Sequence, residues 1–140
     1  MNLNNILTGI CKAFVKRQKI TTGDYGDCVG VTYDGYHAYF LPKTSFPFDR
    51  TIIGSEFNWK AAIPKNHTDA TLTNELMSKD KATLQKVTDG NIEVWINTAF
   101  LKNFDKSATF KMTGAKSPVL VFEDDIMVGL ILPVKVTREN

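Results

Sequence analysis

Cysteine is scarce: only Cys11 and Cys28 occur, and their spacing matches no metal or redox motif. Cys11 falls on an apolar helical stripe and reads as a buried free thiol, and nothing in the sequence requires a disulfide. Histidine is as rare. His37 and His67 are the two, and neither stands in an HExxH or CxxC-type ligand spacing. No GxSxG, P-loop or dinucleotide-binding glycine pattern is present. With these missing, no catalytic residue, metal ligand or cofactor site is assigned, and the chain reads as a non-enzyme. No apolar run approaches the roughly 18 residues of a membrane span. No signal-peptide pattern stands at the start, because the basic cluster follows the first apolar residues instead of preceding them. A cytoplasmic protein without a membrane partner is the expectation. Neither sign of charge dominates. Seventeen basic residues against fifteen acidic leave a net charge of +2, too small to indicate nucleic-acid binding by bulk charge, so any such role must come from charge placement.

What is present is enough for one domain, residues 1–140, with a core of its own. Leu3, Ile6, Leu7, Ile10, Cys11 and Phe14 recur at helical spacing, which predicts an amphipathic helix over 3–17. Lys12, Lys16 and Arg17 lie on its other side, with Lys19 just beyond. Thr21 to Asp27 reads as a loop because of its glycines and aspartates. Cys28 to Tyr33 and Tyr36 to Leu41 flank Asp34-Gly35, a strong hairpin signal. His37, in the second of these strands among aromatics, reads as half-buried and hydrogen-bonded or interfacial.

Trp59 to Ile63 reads as a strand ended by Pro64. Thr73 to Met77 and Ala82 to Val87 contain good helix formers, separated by the charged break Ser78 to Lys81. Ile92 to Ile96 alternates as a strand does. Asn97 or Thr98 then caps a short helix from Ala99 to about Lys106, with Phe100, Leu101 and Phe104 inward and Lys102 and Lys106 sharing its exposed side. Ala108 to Thr113 alternates again. The last stretch, Ser117 to Val136, reads as a hairpin of two apolar strands around the acidic turn Glu123-Asp124-Asp125. Its second strand barely alternates, which predicts burial on both faces or at an interface. Pro133 places the end of that strand at an exposed sheet edge or a bulge.

This last stretch resembles the C-terminal end of bacterial sliding clamps, the DNA polymerase III β-subunit family. Ser117-Pro118-Val119-Leu120-Val121 is similar to the family's "plsPvli" segment. Leu132-Pro133-Val134-Lys135-Val136 is similar to its Met-Pro-Met-Arg-Leu-type tail, with aliphatics for both methionines and Lys for Arg. Tyr33-Asp34-Gly35-Tyr36-His37-Ala38 keeps the Asp-Gly of its "TDGhRL" hairpin. Residues 92–136 also follow the family's order of strand, short helix, strand, strand, strand. The resemblance implies an α+β fold with two helices packed on curved antiparallel sheets. It implies sequence-independent phosphate contacts to duplex DNA from helices carrying Lys12, Lys16, Arg17, Lys19, Lys102 and Lys106. It also implies an apolar peptide groove at Gly35, Tyr36, His37, Leu132, Pro133 and Val134 for a polymerase or other replication protein. Clamps carry three such domains per chain and this chain has the length of one. Encircling DNA therefore requires self-association into a ring through head-to-tail edges. The expected function is a non-enzymatic tether of a replication or repair partner to duplex DNA. The alternatives are an interaction adaptor that never touches DNA and an unrelated α+β binding domain.

Overall fold

The computed structural model describes residues 1–136. Helix α1 spans Leu3–Val15, starting on Asn2, whose side chain accepts from the Asn5 amide. It ends in a Schellman turn: Gln18 N–H donates to Ala13 O at 2.9 Å and Arg17 N–H to Phe14 O at 3.0 Å. Arg17 holds the left-handed position of that turn, at φ 59°, where glycine is the usual occupant. Arg17→Gly is therefore expected to stabilise the fold by about 1 kcal/mol, measured as a raised urea midpoint at unchanged m-value.

Ten strands follow: β1 (Thr21–Tyr25), β2 (Cys28–Thr32), β3 (His37–Pro42), β4 (Ser55–Glu56), β5 (Thr68–Lys79), β6 (Ala82–Thr88), β7 (Glu93–Asn97), β8 (Thr109–Met112), β9 (Val119–Glu123) and β10 (Ile126–Ile131). Short helices α2 (Arg50–Ile53) and α3 (Trp59–Ala62) flank β4. The strands form one sheet in the order β4-β1-β2-β3-β10-β9-β8-β5-β6-β7. All pairings are antiparallel except that of β1 with β4. Beyond β10 the chain turns at Pro133, and Val134 N–H donates to Trp95 O at 2.8 Å on β7. Strands β5 to β10 therefore close a circuit of backbone pairings.

The inner face of this circuit holds α1. Ile6, Ile10 and Ala13, all at 0% exposure, share one core cluster with Val87, Val94, Ile96, Met112, Val119, Val121 and Ile131. A second cluster, with Phe40, Trp59, Ile63, Leu120 and Leu130, lies on the sheet's other face. Strands β3, β9 and β10 thus contribute to both clusters. That explains why the run Val128-Gly129-Leu130-Ile131 does not alternate.

Several expectations are corrected. The fold is a mostly β, ten-stranded mixed sheet with short helices, not an α+β domain of two helices on curved sheets in a clamp arrangement. The second helix expected over 99–106 is one 3-10 turn, Thr98–Leu101, although Asn97 does cap it through the Ala99 amide. It stops because Asn103 is drawn inward: its carbonyl accepts from Asn2 N–H at 2.7 Å, and its side chain bonds Asn5 and Tyr39. Strand β10 does not lie on an edge, since β3 and β9 pair it on both sides. Trp59 to Ala62 is helical, not extended.

Thr21 to Tyr25 is a strand, not a loop. Its glycine is needed at a close approach, because a Cβ on Gly23 would sit 2.0 Å from Phe57 O. The helix formers of 73–77 and 82–87 form β5 and β6. Their charged break is a two-residue turn with positive φ at Asp80 and Lys81. The acidic turn of the last hairpin likewise narrows to Asp124-Asp125, both at positive φ. No helix among the described residues is long and apolar enough to cross a membrane.

Candidate binding cleft

The site is built where β3 begins and β10 ends. Asp34 organises the entry to β3: its Oδ1 accepts from Tyr36 N–H at 2.8 Å and His37 N–H at 3.2 Å. Tyr36 O in turn accepts from Leu132 N–H at 2.8 Å, extending the β3–β10 pairing by one bond. Pro133 then swings the chain toward β7. The proline's missing donor costs nothing here, because this is where the backbone changes pairing partner.

A cleft of about 390 Å³ opens at this crossover. Tyr36, Leu132, Pro133 and Val134 line it with Leu84 of β6 and Phe100 of the 3-10 turn. Lys79, Asp80 and Lys135 add the charged groups of the lining, and Lys79 Nζ donates to Lys135 O. Tyr36 is 62% exposed, so its ring is accessible to a ligand. Across Leu132 lies a second cavity of about 460 Å³, lined by Gly35, His37, Phe57, Trp59, Leu130 and Leu132 among others. The six residues assigned to a peptide groove thus divide: four line the first cleft, and Gly35 and His37 line the second, with Leu132 as the shared wall.

The floor behind Phe100 is stiff. His37 is buried and stacks on Phe100 with ring centroids 4.1 Å apart, while Tyr33 and Tyr39 meet it edge-on. His37 Nδ1 lies 2.7 Å from Asp34 Oδ2. Burial by itself would raise the Asp34 carboxyl. The His37 contact and the two amides outweigh it and hold the group below the ordinary aspartate range. Burial pushes the Tyr39 hydroxyl well above its ordinary value, and that oxygen accepts from Asn103 Nδ2 at 2.9 Å. These groups fix the geometry of the cleft floor.

The lysines expected on one positive face do not lie together. Lys12, Lys16, Arg17 and Lys19 sit at the C-terminal end of α1, all exposed. Lys102 and Lys106 flank Asn103, which is bonded to Asn2 and Asn5 at the other end of the helix. Thirteen helical residues span about 20 Å. Among the described residues none of these six cations has a carboxylate within ion-pair distance, unlike Lys43, Arg50, Lys86 and Lys111.

The sequence reading missed Leu84 and Phe100 as cleft walls, and Phe57 and Trp59 in the second cavity. It also placed Cys11 and Phe14 on the buried stripe, whereas Cys11 is exposed, Phe14 is 46% exposed and the neighbouring Val15 is 79% exposed. Val15 lies off the apolar stripe, and an aliphatic residue beside lysines was the available signal. Among the described residues no group of three or more His, Cys, Asp or Glu is placed to hold a metal ion. No family model matches the chain, and no curated protein or solved structure is significantly similar to it.

Proposed function

We propose that this chain is a non-catalytic binding module that holds a short segment of a partner protein in the cleft between Tyr36, Phe100 and Val134. The observation that carries the reading is the convergence of Tyr36, Leu132, Pro133 and Val134 on one apolar-floored cleft with two lysines at its rim. Lys79 and Lys135 outnumber Asp80 there. The favoured occupant is therefore an apolar side chain next to a carboxylate.

Selection of displayed peptides on the wild-type protein tests it. Sequences pairing an apolar with an acidic residue are expected to be enriched. Leu132→Glu should weaken their binding at least ~30-fold, about 2 kcal/mol, with the thermal melt unchanged. Equal binding to Leu132→Glu sinks the cleft.

Tethering of that partner to duplex DNA is the second reading. The exposed, carboxylate-free cations Lys12, Lys16, Arg17, Lys19, Lys102 and Lys106 support it. It predicts retention on duplex DNA that falls steeply with salt.

A further inference from the structure

We infer that the C-terminal end of α1 is a docking surface for an anionic lipid bilayer. Phosphate contacts account for the cations here but leave the exposed apolar residues next to them in sequence unexplained. Val15 is 79% exposed and Phe14 46%. Lys12 and Lys16 lie one turn apart on the flank next to Val15, and Arg17 and Lys19 follow directly. No acidic residue precedes Asp24, so these four cations stand in a stretch without carboxylates, while the rest of the chain has thirteen basic against fifteen acidic residues.

Arg17 adds an independent observation. It occupies a left-handed position, φ 59°, that glycine fills without strain. A cation is kept there against a local stability cost, and such local costs concentrate at functional positions.

A bilayer interface takes both kinds of side chain that this helix end exposes. Headgroup phosphates take the cations, and the boundary with the acyl chains takes the Val15 and Phe14 side chains. Duplex DNA held through its phosphates gives Val15 no apolar partner, and an aliphatic side chain does not stack on a base as an aromatic does. A second copy of the chain would bring two sets of four cations together. The attachment is peripheral, so it needs no spanning segment, and it does not depend on the cleft being a peptide site.

Flotation of the full chain with phosphatidylcholine vesicles, with and without phosphatidylserine, tests the inference. Flotation is expected only with phosphatidylserine and should fade as salt rises. Val15→Ser keeps every charge and should reduce partitioning about fivefold. Arg17→Gly should also reduce it about fivefold while the protein becomes harder to unfold, so the loss is not misfolding. Absence of flotation on phosphatidylserine vesicles at low salt overturns the inference. So does undiminished flotation of Val15→Ser. Retention of duplex DNA by wild type and Val15→Ser alike, with no vesicle binding, assigns the patch to nucleic acid instead.

Discussion

Ile10→Ala is expected to cost about 3 kcal/mol of stability, read as a lowered urea midpoint at constant m-value. Ile10 is fully buried on the middle turn of α1, in the cluster that lines the inner face of the strands. Removing its outer methylenes leaves a void that the surroundings cannot readily fill. The inner face is held open by a circuit of pairings from β5 round to β10, closed by the Val134–Trp95 bond. A wall tied to itself relaxes less into a cavity than an open sheet does, which favours the upper part of the range for such truncations. Val15→Ala on the same helix provides the control. Its side chain is 79% exposed, so the change should stay within about 0.5 kcal/mol. One helix therefore carries a face that stabilises the fold and an end that contributes little to it. A cost below about 1 kcal/mol for Ile10→Ala would mean that α1 does not plug the inner face.

Local chemistry made part of this architecture readable. The stripe Leu3, Ile6, Leu7 and Ile10 marks α1 within two residues of its observed end. The Asp34-Gly35 turn marks β2 and β3, and alternation marks β7 and β8. What was not readable depends on contacts distant in sequence. Leu84 and Val87 lie three residues apart and are both buried, a helical spacing. In β6 they face opposite sides, Leu84 toward the cleft and Val87 into the inner core. Good helix formers were overridden by pairing on both flanks of the strand. The expected lysine-bearing second helix failed for a similar reason, because Asn103 found partners on α1 and β3 that a continued helix would deny it. The cleft was half legible. Tyr36 and Leu132 to Val134 were implied by the clamp resemblance of two short segments, while Leu84 and Phe100 reach it only through the closure of the sheet.

Gly30→Ala should displace Trp59 and cost about 2–3 kcal/mol, although Ala adopts the local backbone conformation without difficulty. The obstacle is space. A Cβ at Gly30 would lie 2.5 Å from Trp59 Nε1, 2.6 Å from Phe40 Cε1 and 2.7 Å from Trp59 Cε2. Trp59 cannot simply rotate, because its Nε1–H donates to Gly30 O at 3.2 Å and its ring is wedged edge-on against Phe40 and Phe57. Displacement exposes a ring that is now 4% accessible, and tryptophan emission should shift to the red. Trp95 lies on β7, remote from this cluster, and should not contribute to the shift. Gly35→Ala is the informative comparison. Nothing lies within 4 Å of its Cβ position, but φ is +79°, so the cost of about 1 kcal/mol comes from the backbone alone and the emission stays put. Gly30→Ala also distinguishes the two cavities. Gly30→Ala reshapes the one walled by Phe57 and Trp59 and leaves the Tyr36–Phe100 cleft intact. Peptides selected on the wild type should still bind Gly30→Ala under conditions where it is folded, and their loss would place the occupant on the Trp59 side of Leu132.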